Sequence, residues 1–288
     1  MSDVWKLARP RHWVKNLFVF APVFFAIRLN DPFVLLASMQ AFAAFCLAAS
    51  AIYVINDILD ASVDRLHPVK RDRPLAANRI SIRTAMLYAA LLLCAAVALV
   101  WSLGREALAG LMLYFVLNII YSWKWKHIAV LDITIIAVGF LLRLQVGSAA
   151  TGIPLSAWIV LLTFVLALFL ALSKRRDDVL LTENGSSKLR KSIDGFNLVF
   201  VDHGMSTMAA VAIVLYMLYS LSPEVIHRFH NRPVYLSAIF VIIGLLRYLQ
   251  RALVENRTGS PTDILWTDRF LQLSILGWLA TLWLLLYR

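Results

Sequence analysis

Nine stretches of almost uninterrupted apolar residues, near 17–29, 33–55, 84–103, 107–121, 129–150, 154–173, 204–222, 233–250 and 270–287, leave this chain few folds to choose from. Each is close to the length an α-helix needs to cross roughly 30 Å of hydrocarbon, where backbone polar groups must be satisfied within the segment. With 61% hydrophobic and 16% charged residues over 288 positions, the chain is too apolar for a soluble domain. It reads as an all-α, polytopic membrane protein with nine transmembrane helices. No small-residue cleavage site follows the first run, so that run is expected to be retained. No Gly/Ser linker or low-complexity tract divides residues 1–288, which are expected to form a single integral membrane domain with charged loops near 56–83 and 174–203.

Basic residues test this topology independently of hydropathy. Twenty-two of the twenty-eight Lys and Arg residues lie in the N-terminal stretch or in every second connection after it. By the positive-inside rule the N-terminus and the even-numbered connections are cytoplasmic and the C-terminus is outside, in a multi-pass protein of the cell inner (cytoplasmic) membrane. The net charge of +11 follows from this bias and suits anionic headgroups and phosphorylated substrates. It does not suit nucleic acid, because the cations are split among short loops with no aromatic-interleaved basic module.

The second run ends in Asn56-Asp57-x-x-Asp60-x-x-x-Asp64, followed by His67-Pro68-x-Lys70-Arg71-x-Arg73-Pro74. On a helix Asn56, Asp57, Asp60 and Asp64 fall within an arc of roughly 100° and can project into one cavity. Carboxylates gathered this way repel one another unless cations sit among them. Hard oxygen ligands suit Mg²⁺, which keeps several waters and bridges to substrate phosphates, while Lys70, Arg71 and Arg73 suit the remaining phosphate oxygens. The residues alone therefore point to a metal-dependent diphosphate site at the cytoplasmic mouth of a membrane cavity. The competing reading is a solvated juxtamembrane helix whose acids balance the basic residues beyond it.

Other features carry less. Lys174-Arg175-Arg176-Asp177-Asp178 and Arg190-Lys191 would form a second basic wall, although basic residues at a cytoplasmic helix end also satisfy the topology rule. Lys15 and Asn16 could stand at the site's mouth or belong to an interfacial anchor around Trp13. Asp132 and Arg143 are charges in the fifth run, candidates by default for function or for helix packing. Tyr121 closes the fourth run, where an aromatic belt is the simpler explanation. His227 and His230 lack metal-ligating companions, and Cys46 and Cys94 read as packing residues.

Taken together, the aspartate motif, the nine runs and the charged loops after runs two and six resemble the UbiA superfamily of intramembrane prenyltransferases, over essentially the whole chain. The resemblance implies helices around a central cavity, with Mg²⁺ and a diphosphate at Asn56, Asp57, Asp60 and Asp64. This sequence departs from the family's second acidic motif: Asp177 and Asp178 are followed by Leu181 and Thr182, and preceded by three cations. More cations and fewer carboxylates suit substrates with more phosphate groups. Arg9-Pro10-Arg11-x-Trp13-Val14-Lys15-Asn16, Asp132 with Gly139-Phe140-x-x-Arg143, and Arg190-Lys191-Ser192 are similar to the decaprenyl-phosphate phosphoribosyltransferase branch. What that branch implies is Mg-dependent transfer of 5-phosphoribose from phosphoribosyl diphosphate (PRPP) to a polyprenyl phosphate, on the route to lipid-linked arabinose. Asp57, Asp60 and Asp64 would then be catalytic, and Lys15, Asn16, Lys70, Arg71, Arg73, Tyr121, Asp132, Lys174, Arg175, Asp178, Arg190 and Lys191 would bind substrate. The alternatives are an ordinary prenyl transfer from a prenyl diphosphate and, from another class, transport of a phosphorylated lipid.

Overall fold

The computed structural model describes residues 3–65, 70–183, 191–229, 231–256 and 261–287, and every regular element among them is helical. Eight of the described helices are long and apolar enough to span a bilayer: Pro32–Asp64, Ile82–Trp101, Arg105–Trp123, Leu131–Thr151, Ala157–Thr182, Leu198–Leu221, Val234–Leu253 and Arg269–Leu286. Their outward faces carry large apolar side chains such as Phe33, Leu36, Met86, Trp101 and Leu273, each more than half exposed, as lipid contact requires.

The first apolar run takes a different form. Pro10–Phe20 is a 3₁₀ helix that leads into a short α-helix, Ala21–Phe25. Because a 3₁₀ helix rises about 2.0 Å per residue against about 1.5 Å for an α-helix, the pair climbs roughly 30 Å, the thickness of the hydrocarbon. The segment runs antiparallel to Pro32–Asp64 and presents every third residue to its neighbours. Trp13 Nε1 donates to Ser50 Oγ at 3.1 Å, and Asn16 Nδ2 donates to Cys46 Sγ at 3.2 Å. The Phe20 and Phe42 rings lie 5.5 Å apart. From Trp13 to Asn16 three 3₁₀ residues match the four α residues from Ser50 to Cys46, since each set advances about 6 Å.

Local chemistry sets the helix starts. Asp31 caps the Pro32–Asp64 helix by accepting from Phe33 N and Val34 N, with Pro32 in the first turn. Ser81 and Asn197 cap Ile82–Trp101 and Leu198–Leu221 in the same way. Gly104, at φ +104°, makes the tight link into Arg105–Trp123.

Two helices overrun the apolar segments that announce them. Pro32–Asp64 has 33 residues, about 50 Å of rod for roughly 30 Å of hydrocarbon. Its last turns therefore project past the lipid, and they carry Asp57, Asp60 and Asp64. Ala157–Glu183 likewise continues through Lys174–Asp178. The expected loops at 56–83 and 174–203 thus begin as helix: hydropathy marks where solvent begins, whereas backbone hydrogen bonding persists beyond it.

Within the chain two compact units can be distinguished, residues 1–126 with 139–155 and residues 127–138 with 156–288. In the first, Pro32–Asp64 packs against Ile82–Trp101, the small residues Ala41, Ala44, Ala48 and Ala51 of the one and Ala85, Ala89 and Ala96 of the other are buried, and Val54 shares a core with Ala85 and Ala89. Gly147 meets the 3₁₀ segment so closely that a Cβ there would lie 2.1 Å from Val19 O. In the second unit, Phe169, Met205, Ala209, Tyr248 and Leu271 belong to one core. Asp268, before the helix Arg269–Tyr287, accepts from Leu271 N at 2.8 Å and takes Arg247 and Arg251 at 2.7 and 2.8 Å.

Gly147→Leu should lower thermal stability in detergent by about 1–3 kcal/mol through overpacking against Val19. Burial works to raise the Asp268 carboxyl, but hydrogen bonds from Arg247, Arg251 and Leu271 N–H outweigh it and hold the group below its ordinary value. A depressed carboxylate contributes stability above the unfolded pKa of about 4 and loses it as pH falls through the lower folded value. Melting temperature measured from neutral pH down to about 3 should therefore drop below pH 4, and Asp268→Asn should remove that part of the drop.

Candidate active site

The first unit holds the aspartate cluster. Asp57 and Asp64 are 3% and 4% exposed, Asp60 and Asn56 are half-buried, and each carboxylate meets a cation from elsewhere in the sequence. Arg9 pairs with Asp57. One nitrogen of Arg73, Nη1, reaches both Asp57 Oδ1 at 3.1 Å and Asp64 Oδ2 at 2.6 Å. Lys126 Nζ lies 2.6 Å from Asp60 Oδ1.

The surrounding structure explains why these cations arrive there. Arg9 precedes the 3₁₀ helix in a left-handed conformation, φ +49°. The Trp13 bond to Ser50, and the Ser50 hydroxyl donating to Ala8 O at 2.7 Å, clamp it against the Pro32–Asp64 helix. Its guanidinium carbon sits 5.1 Å from the Tyr53 ring centroid. Arg73 follows the turn Lys70–Asp72 and precedes buried Leu75 and Ala76, while Arg65 donates to Ala76 O and Asn78 Oδ1, folding this return against the helix end. Lys126, 9% exposed, lies in the 3₁₀ turn Trp125–His127 that follows Arg105–Trp123.

The aspartates share a face as expected, but they are not a ready-made cage. Among the described residues no three Asp, Glu, His or Cys side chains are grouped to hold one metal ion. Arg73 Nη1 nevertheless shows that a positive centre fits between Asp57 and Asp64. The donor chemistry, hard carboxylate oxygens, fits a divalent ion held by one or two side chains with the remaining ligands from water and substrate phosphate, as Mg²⁺ prefers.

Asn16 departs from the expected place at the site's mouth. It is 1% exposed, with its amide nitrogen on Cys46 and its oxygen accepting from Arg143 Nε at 2.9 Å. Arg143 also donates to Gly139 O at 2.6 Å and Tyr114 Oη at 3.0 Å, and lies over the Phe45, Tyr114 and Phe140 rings. Of its two sequence readings, this arrangement is a packing node. Lys15 and Tyr121 are half-buried, and Arg71 is exposed.

In the second unit Asp132 and Arg175 are both fully buried, with Arg175 Nε 2.7 Å from Asp132 Oδ2, and Arg175 also pairs with Asp178. Arg175 therefore has no surface to offer a phosphate, contrary to the clamp anticipated from the sequence. Desolvation makes so buried a cation stable only when paired, and the triad fixes the start of Leu131–Thr151 to the charged end of Ala157–Glu183. Arg176 binds Asp202 at 2.7 Å and Asn256 at 2.9 Å, and Lys174 is exposed. The Lys70 and Lys191 side chains, Arg190 and His230 lie outside the described residues.

Sequence reasoning missed Arg9 and Lys126. Arg9 lies in the N-terminal motif, in which Lys15 and Asn16 are the residues that suggest a site entrance. Lys126 registered only as a topology charge, because nothing local links it to Asp60, 66 positions away.

A polytopic helical protein with a compensated aspartate cluster at the end of a span is the class defined by this fold and site. The UbiA prenyltransferase family matches residues 17–276, and the chain belongs to that family, whose resemblance was visible in its motifs. It is 33% identical to a decaprenyl-phosphate phosphoribosyltransferase of Mycolicibacterium smegmatis, with 100% of this chain and 93% of that protein covered. Its identity to the protein of the same name from Corynebacterium glutamicum is 34%, over 98% of this chain and 86% of that one. Among solved structures, a UbiA homolog from Archaeoglobus fulgidus bound to DMAPP and Mg²⁺ superposes with a TM-score of 0.72 at 20% identity, covering 98% and 99% of the two chains. The chain is an integral membrane transferase.

Arg175→Ala should destabilise the protein by about 3–5 kcal/mol, because it strands the Asp132 carboxylate inside the fold. Arg175→Ala with Asp132→Asn should recover part of that loss in thermal unfolding of the purified protein.

Proposed function

We propose that the protein transfers 5-phosphoribose from PRPP to a polyprenyl phosphate, releasing diphosphate. The observation that carries this reading is the set of three carboxylates, each matched to a cation, at the end of the Pro32–Asp64 helix. Two nearly full-length relatives carrying the phosphoribosyltransferase name support the donor and acceptor.

Asp57, Asp60 and Asp64, helped by Asn56, would hold Mg²⁺, which when bound supplies charge neutralisation for the departing diphosphate. Arg9, Arg73 and Lys126 stand within reach of phosphate oxygens at the same helix end, joined by Lys70 and Arg71 from the adjoining turn. Lys174, Arg190 and Lys191 serve the second phosphate-bearing substrate, and Asp132, Arg175 and Asp178 support the helix that carries Lys174. Lys15 and Tyr121 border the lipid phosphate, and Asn16 holds the segment that carries Lys15. The acceptor phosphate is an anion near neutral pH and needs no strong base, so most of the rate comes from positioning and leaving-group stabilisation. The helix end projects beyond the hydrocarbon, allowing the acceptor's tail to stay in lipid while its headgroup reacts. The bias of basic residues supports a cytoplasmic N-terminus and a cytoplasmic site in the inner membrane.

A second reading, prenyl transfer from a prenyl diphosphate, is favoured by the structural neighbour bound to DMAPP and Mg²⁺. Purified protein in detergent separates the two. With Mg²⁺, PRPP should be consumed only when polyprenyl phosphate is present, and Asp60→Ala should reduce the rate on the order of 100-fold or more. Turnover of a prenyl diphosphate with an aromatic acceptor, and none of PRPP, would establish the second reading instead.

A further inference from the structure

The aspartate cluster is neutral as it stands, with Asp57, Asp60 and Asp64 balanced by Arg9, Arg73 and Lys126. A divalent ion binding the same oxygens must compete with these cations. If it came alone it would leave the cluster overcharged by two, whereas a diphosphate brings the negative charge that the displaced side chains need. We propose that Arg73 and Lys126 are exchangeable counter-cations, passing from the aspartates to diphosphate oxygens as the divalent ion takes their place, so that metal and diphosphate bind tightly only together. The proposal rests on the metal–diphosphate reading above.

The geometry grades the three cations. Arg9 is the least free, since its neighbours Ala8 and Trp13 are fastened to Ser50 and its guanidinium lies over Tyr53. Arg73 is freer: its side chain is 28% exposed, and one nitrogen is shared between Asp57 and Asp64, where a metal ion would compete directly. Lys126 is itself only 11% exposed, but among the described residues it has a single carboxylate partner, and that partner, Asp60, is the most exposed of the three aspartates at 32%. A lysine ammonium is a compact point charge on a flexible stem with three donors and no fixed fork. It can swing from a carboxylate to a phosphate oxygen at little geometric cost. Arg73 and Lys126 thus couple the two ligands, and by linkage the coupling is reciprocal.

The test uses the full chain in detergent and two ligands measured separately: Mn²⁺ alone, counted by electron paramagnetic resonance of the free ion, and inorganic pyrophosphate, by calorimetry with and without Mg²⁺. Lys126→Met should tighten Mn²⁺ about 3- to 10-fold by removing the competitor, and weaken pyrophosphate at fixed Mg²⁺ by about 10-fold. Lys126→Arg, which keeps the charge, should shift both ligands far less than Lys126→Met does. Asp60→Asn should do the reverse, weakening Mn²⁺ and tightening metal-free pyrophosphate because Lys126 is released. Opposite shifts for the two ligands support exchange. If Lys126→Met weakens both or leaves Mn²⁺ unchanged, Lys126 is scaffolding and the exchange is overturned, while the metal–diphosphate reading stands. If the wild type binds neither Mn²⁺ nor pyrophosphate, both fall.

Discussion

Three carboxylates cannot share one helix face at the edge of a membrane without positive charge between them, and the first unit is arranged around that requirement. Its three cations come from the N-terminal stretch, from the return after the Pro32–Asp64 helix, and from a turn 66 positions beyond Asp60. Each brings its own segment with it. Arg9 needs the 3₁₀ helix docked, Arg73 needs Leu75 and Ala76 buried beneath it, and Lys126 needs the Arg105–Trp123 helix to end where it does. Charge compensation and tertiary packing are thus the same set of contacts seen from two sides.

Charges elsewhere follow a harsher rule. Arg175 is compensated by acids and wholly enclosed. Among the described residues Arg143 has no carboxylate at ion-pair distance, and relies on an amide oxygen, a backbone carbonyl, a phenol and three aromatic rings. A delocalised guanidinium tolerates such a setting where an ammonium would not, because its weaker hydration makes the transfer out of water less costly. The cluster at the helix end is different in kind: Asp57 and Asp64 are buried, but Arg9, Arg73 and Asp60 keep partial exposure, which is what an ion pair needs if it is to be rearranged rather than merely to persist.

Much of this was legible in the sequence. The apolar runs located eight of the spans, and the spacing of Asn56, Asp57, Asp60 and Asp64 placed them on one face. Two kinds of information were not. The true helix ends at Asp64 and Glu183 were invisible, because a charged helix leaving the lipid changes its solvent without changing its hydrogen bonding. The burial of Asn16 and Arg175 was hidden too, since nothing in a polar residue's type tells whether its partner lies in water or across a helix interface. Arg9 and Lys126 were missed for the related reason that pairing over long sequence separations leaves no local trace. The 3₁₀ segment escaped because an apolar run signals burial in lipid and says nothing of how tightly the backbone winds within it.

The three-residue period of the 3₁₀ winding makes the N-terminal segment unusually intolerant of changes in length. Adding or deleting one residue between Arg9 and Val19 would rotate everything upstream by a third of a turn. Trp13 or Asn16 would lose its seat on Ser50 or Cys46, and the Arg9 guanidinium would swing away from Asp57. Substitution on the lipid-facing side of this segment leaves the phase of the winding intact. The segment works as a spacer of fixed count, whose arithmetic, more than its chemistry, decides where the first cation lands.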